Sequence, residues 1–160
     1  VIEACTSAGI TRYLHMSALN AAPVAASHYL RTKGEAERLV RASGLAWTIF
    51  RPSVIFGPGD GIFSRFDTLT RFSPMLPLAC AQSRFQPVYV GDVADAFVRA
   101  LTDQRTIGES YDLGGPAVLT LEEIVQLVLR VTRRRRFVLP LGMLASRLQA
   151  EVFEHLPGKP

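Results

Sequence analysis

The chain has 160 residues, 48% of them hydrophobic, two cysteines and a formal net charge of +4. That length can bury a core holding about 70% of the unfolded surface, and one domain is the starting expectation. No apolar run reaches the ~20 residues of a membrane span, and no signal-peptide pattern is present.

Cys5 and Cys80 follow no disulfide or metal spacing and read as buried thiols in a reducing compartment, which points to a cytoplasmic protein. Much of the excess charge is one run, Arg133 to Arg136. No aromatic positions are interleaved with it, which argues against a nucleic-acid surface. Cations closing a helix complement its dipole instead.

In chain order, Val1 to Ala8 reads as a helix stopped by Gly9 at the position after its cap. Thr11 to Ser17 is a strand apolar enough to be covered on both faces, as parallel strands are. Asn20 to Val24 is a loop carrying Pro23. Ala26 to Ser43 is a long amphipathic helix ended by Gly44, with Leu30, Ala36, Leu39 and Val40 on its inner face. Ala46 to Arg51 is a second buried strand, ended by Pro52. Strand, helix, strand is the unit of a parallel sheet.

Gly57 to Gly61 lacks the Lys-Ser/Thr tail of a phosphate loop and reads as a turn near a ligand. Ile62 to Phe72 is a helix, broken by Ser73 to Pro77. Gln86 to Val90 is a short strand. Asp92 is expected to cap a helix from Val93 to Leu101, with Asp95 adding charge to its first turn. Ser110 to Leu113 is a strand closed by Gly114-Gly115-Pro116. Thr120 and Glu123 form a capping box for a helix from Leu121 to Val131. Arg136 to Leu139 is a strand, and Gly142 to His155 a final helix.

The chemistry is concentrated in Ser27 to Glu37. Tyr29 and Lys33 stand four apart on a predicted helix, so their Cβ atoms lie roughly 5–6 Å apart on one face. A tyrosine with its free pKa of about 10 is a poor acid or base at neutral pH, and a nearby ammonium favours the phenolate. Twelve positions before Tyr29, Ser17 closes the first buried strand. The C-terminal ends of parallel strands are where open α/β sheets place ligands. His15 and His28 have no second ligand at metal spacing, and no metal site is expected.

Ser17, Tyr29 and Lys33 in this order resemble the catalytic set of the short-chain dehydrogenase/reductase superfamily. Phe50 to Asp60, with Arg51-Pro52 and Gly57-Pro58, resembles the strand-end segment of its extended, epimerase/dehydratase-like branch. Arg84 to Ala94 resembles the segment that leads into that branch's Asp-Val-Ala helix. The resemblance is strongest to a subgroup related to the nucleotide-binding accessory subunit of respiratory complex I.

It implies the C-terminal part of a Rossmann-like, doubly wound parallel α/β sheet plus part of a small α/β substrate-binding lobe. Residues 1–56 and 86–115 would be sheet elements, and 57–85 and 116–160 lobe elements. No Gly-rich dinucleotide turn matches, so the chain would be a fragment lacking the N-terminal half and inactive alone.

The resemblance makes Tyr29 the general acid/base of an NAD(P)-dependent oxidoreductase or epimerase acting on a small-molecule substrate. Lys33 would also bind the nicotinamide ribose of NAD or NADP, and Ser17 would donate to the substrate oxygen. Pro52, Ser53 and Val54 would line the nicotinamide, and Asn20 and Arg84 would meet the substrate. The alternative it carries is a non-catalytic NAD(P)H-binding accessory protein of a respiratory complex, peripheral to the inner membrane. It also implies a homodimer formed through the first two helices.

Overall fold

The computed structural model describes residues 1–141. The helix expected from Gly142 to His155 lies outside them. In chain order the elements are α1 (Ile2–Ser7), β1 (Arg12–Met16), α2 (His28–Arg41), β2 (Ala46–Pro52), β3 (Ile55–Phe56) and α3 (Ile62–Phe72). There follow β4 (Met75–Leu78), β5 (Arg84–Phe85), β6 (Val88–Tyr89), α4 (Val90–Thr102), β7 (Glu109–Leu113), β8 (Leu119–Thr120), α5 (Leu121–Val131) and β9 (Phe137–Pro140). The described residues divide into two compact units, residues 1–57 with 86–116 and residues 58–85 with 117–141.

The first unit is built on a parallel sheet in the order β1-β2-β7. His15 pairs with Ile49, and Phe50 with Tyr111. The central strand is covered on both faces, so Thr48, Ile49 and Phe50 are all buried. Burying one such apolar side chain contributes about 1.5–3 kcal/mol. The Phe50 ring packs 4.5 Å from Phe97 of α4 and 5.9 Å from Tyr111.

At the start of the sheet Arg12 acts as a clamp. It donates to Ala46 O at 2.7 Å, Thr48 Oγ1 at 2.8 Å, Thr106 Oγ1 at 2.8 Å and Ala100 O at 2.6 Å. The last of these is a carbonyl of the final turn of α4, where a cation complements the helix dipole. At the other end, pairing runs past the strands: Ser17 N donates to Phe50 O at 2.7 Å and Leu19 N to Pro52 O at 2.9 Å.

The helix α4 begins earlier than its acidic residues suggest. Tyr89 is its N-cap, with no side-chain cap bond, and Asp92 lies in the first turn rather than at the cap. The short β6 pairs with β3 and runs straight into the helix, which leaves no turn for Asp92 to cap. Cys5 is only half-buried, because α1 buries none of its residues. Cys80 is exposed in a turn closed by Ser83 N donating to its carbonyl at 2.8 Å. Neither thiol is the buried one expected.

In the second unit β4 pairs in parallel with β9, and β5 antiparallel with β8. Leu76, Leu78, Ala81, Val125 and Leu129 form its core, with Phe66, Leu121 and Val138 packed on it. The capping box opens α5: Glu123 N donates to Thr120 Oγ1 at 3.1 Å, and Thr120 N donates to Glu123 Oε2 at 2.7 Å. The arginine run serves α3 as well as α5. Arg134 donates to Asp67 O and Oδ1, both at 2.6 Å, and Arg136 Nε to Thr70 O at 2.7 Å, a carbonyl near the end of α3.

Candidate nicotinamide site and its supporting ion pair

Ser27 starts α2 in extended conformation and accepts a hydrogen bond from Leu30 N at 3.1 Å. That start sets the helix phase, and the i, i+4 spacing lays Tyr29, Lys33 and Glu37 along one strip of its surface. The Lys33 ammonium sits 5.9 Å from the centre of the Tyr29 ring. It also donates to Met16 O, the last carbonyl of β1, at 3.1 Å. The pair therefore stands at the C-terminal end of the parallel sheet, and Tyr29 is 58% exposed.

A close approach fixes the helix there. A Cβ on Gly34 would lie 2.3 Å from the carbonyl carbon of Ala22 and 2.6 Å from Pro23 N. Only glycine lets α2 pack this tightly on the loop after β1. Asn20, on that loop, is exposed and adopts a left-handed φ of 64°.

One turn beyond Lys33 the same strip goes inside. Glu37 is 3% exposed and holds three side chains together. Arg51 Nε donates to its Oε1 at 2.8 Å and Arg51 Nη2 to its Oε2 at 2.6 Å, a bidentate pair. Ser17 Oγ donates to Oε1 at 2.5 Å, and Arg41 Nη2 lies 3.6 Å from Oε2. Burial pushes the Glu37 carboxyl up. The bonds from Arg51 and Ser17 and the charges of Arg51 and Arg41 outweigh it, so its pKa falls below the ordinary value. The Arg51 pKa rises, chiefly through the Glu37 hydrogen bond, against the opposing effect of burial. Arg41 also stacks on Trp47 at 4.8 Å and donates to Ser110 Oγ at 2.6 Å.

Ser17 is thus buried with its proton committed to Glu37. The next residue, Ala18, offers no hydroxyl in its place. Of the inner face expected for α2, Val40 is buried and Leu30 and Ala36 are half-buried, but Leu39 is not. Gly34, Glu37 and Val40 are buried, while Leu39 is 52% exposed.

Beyond β2, Ser53 N donates to Leu113 O at 2.8 Å and Ser53 Oγ accepts from Gln86 N at 3.3 Å. Val54 O accepts from Val88 N at 2.9 Å. Pro52, Ser53 and Val54 are therefore held rigidly at a strand end. Arg84 is exposed on β5, in the other unit. His15 stacks on Tyr13 at 6.2 Å; burial, reinforced by the Lys33 charge and opposed by Glu37, lowers its pKa. Among the described residues no cluster of potential ligands could hold a metal.

A nicotinamide riboside fits the exposed pair. Lys33 has three donors and uses one on Met16 O, which leaves two for ribose hydroxyls. Tyr29, four residues before Lys33 on α2, is exposed. The strip Tyr29–Lys33–Glu37 escaped the sequence reading at its inner end only. Its signal was the same i, i+4 spacing carried one turn further.

Residues 1–73 match the model of a family described as NAD(P)H-binding. Over 88% of the chain the fold superposes on 55% of MoeE5, solved in complex with UDP-glucose and NAD, with a TM-score of 0.74 at 22% identity. The fold is thus the Rossmann-like α/β fold of that NAD-bound protein, and the N-terminal residues are similar to an NAD(P)H-binding family.

The sequence is also similar to curated proteins named as NADH dehydrogenase subunits. It is 38% identical over 127 residues to the mitochondrial NADH dehydrogenase [ubiquinone] 1 alpha subcomplex subunit 9 of Arabidopsis thaliana, covering 78% of this chain and 32% of that one. The mouse protein of the same name is 31% identical over 162 residues, covering 100% of this chain and 43% of that one. The chain spans less than half the length of these curated relatives.

Proposed function

We propose that this chain belongs to an NAD(P)H-binding accessory protein of a respiratory NADH dehydrogenase complex, in which the nicotinamide is held and not turned over. The observation that carries this reading is the Ser17–Glu37 hydrogen bond at 2.5 Å. A reductase needs a donor to polarise the substrate oxygen beside its tyrosine. Here the strand-end hydroxyl donates its hydrogen bond to a buried carboxylate that two arginines keep ionised. Tyr29 and Lys33 remain free to hold a nicotinamide ribose, and the relatives named as complex subunits support the same reading. No helix among the described residues is long and apolar enough to cross a membrane.

A second reading is favoured by the Tyr29–Lys33 pair itself: an NAD(P)-dependent oxidoreductase or epimerase with Tyr29 as general acid/base. The nicotinamide, when bound, supplies the hydride chemistry. In reduction Tyr29 would give its phenolic proton to the substrate oxygen, and Lys33 would steady the phenolate that remains.

Full-length protein given NADH or NADPH and a panel of carbonyl compounds and sugar nucleotides separates the two. Binding without consumption of reduced nicotinamide is the expected outcome. Turnover that disappears in Tyr29→Phe would establish the second reading and overturn the first.

A further inference from the structure

The second unit carries a groove of about 770 Å³ lined by Gln126, Leu129, Phe137, Arg130 and the run Arg133 to Arg136. No acidic side chain lines it. Arg134 and Arg136 are half-buried and bound to α3, whereas Arg130, Arg133 and Arg135 are exposed. Those three guanidinium groups have no ion pair or hydrogen-bond partner among the described residues. The alternation places Arg133, Arg135 and Phe137 outward and fixes Arg134 and Arg136 inward, as successive residues entering a strand do.

The backbone adds an independent observation. The end of α5 is a Schellman motif, with Arg134 N donating to Leu129 O at 2.9 Å and Arg133 N to Arg130 O at 3.1 Å. The residue after the cap in this motif is left-handed and usually glycine. Here it is Arg133, at a φ of 52°. Backbone positions strained in this way cluster at functional sites. Uncompensated guanidinium forks match phosphate oxygens in geometry as well as charge.

We infer that this groove binds a soluble ligand carrying two or more phosphate charges, with Phe137, 65% exposed, as an apolar wall beside them. A concave site lined by arginines of the last turn of α5 and of the segment after it suits a compact polyanion better than a flat anionic surface. The site is separate from Tyr29 and Lys33 and does not depend on the function proposed for them.

Calorimetry of the full-length chain with inorganic pyrophosphate at low salt tests it. Wild type should bind, with affinity falling as salt rises. Arg133→Gly should weaken binding about tenfold, the effect of losing one charge-assisted contact. The same variant should melt at the wild-type temperature or above, because glycine relieves the left-handed backbone. Arg135→Ser should weaken binding similarly, while Lys33→Ala should not alter it. The inference is overturned by absence of pyrophosphate binding, by equal binding in Arg133→Gly, or by binding only to vesicles of phosphatidylglycerol in phosphatidylcholine.

Discussion

Replacing Glu37 by alanine removes the one carboxylate that ties α2 to the ends of β1 and β2. Two consequences follow from the geometry. The bidentate bonds from Arg51 at 2.8 and 2.6 Å disappear, and the Arg51 side chain is only 29% exposed. Removing one partner of a buried ion pair costs about 3–5 kcal/mol, and partial access of water to Arg51 places this case near the lower figure. Ser17 also loses its acceptor in a buried setting, worth about 1–3 kcal/mol alone. The two losses share one network and do not add, so the expected destabilisation is about 3–4 kcal/mol. Glu37→Gln keeps the shape and can still accept from Ser17, and should cost about half as much.

The pH dependence has a definite sign. The folded pKa of Glu37 lies below its ordinary value of 4.5. The unfolded chain therefore takes up the proton first as pH falls. The contribution of Glu37 is complete above about 4.5 and is lost as pH drops through the folded value. Urea unfolding at neutral pH and at several acidic pH values measures both effects, with the midpoint shifting at constant slope. A Glu37→Ala midpoint equal to wild type would refute the reasoning. So would an acid limb that is no shallower in Glu37→Gln.

Gly34→Ala places a methyl group where the Ala22–Pro23 backbone stands at 2.3 to 2.6 Å; it should destabilise the fold by about 1–3 kcal/mol and weaken nicotinamide binding, both read from one NADPH titration with thermal melting. Arg12→Met strips the clamp from Ala46, Thr48, Ala100 and Thr106; about 3 kcal/mol of stability should go, with cofactor affinity unchanged in the protein that remains folded. If α1 and α2 form a homodimer contact, Leu39, exposed on α2, belongs to it. Leu39→Glu should then convert a full-length dimer to monomer by light scattering, and a wild-type monomer at high concentration would end that idea.

Local signals were legible where one residue decides the backbone. The boundaries of α3, the Thr120–Glu123 box and the left-handed glycines 9 and 44 are where the sequence puts them. The parallel pairing of β1 with β2 follows from two buried strands joined by a helix. The strand β4 was hidden because Met75-Leu76-Pro77-Leu78 contains a proline and breaks a preceding helix. Its alternation of exposed and buried residues shows only once β9 is beside it.

Glu37 was hidden for another reason. A glutamate in mid-helix reads as solvated, and its partners Ser17 and Arg51 stand 20 and 14 residues away. The same distance concealed the state of Ser17. Its position at a strand end is visible in the sequence, and the direction of its proton is not.

The central claim is that Tyr29 and Lys33 hold a nicotinamide ribose that is not turned over. The most direct measurement is calorimetric titration of full-length wild type, Lys33→Ala and Tyr29→Phe with NADPH and NADH. Wild type should bind at least one of them, Lys33→Ala should lose about tenfold in affinity, and Tyr29→Phe should stay within about twofold because only one hydroxyl is removed. Absence of binding in wild type, or Lys33→Ala binding as tightly as wild type, would contradict the account.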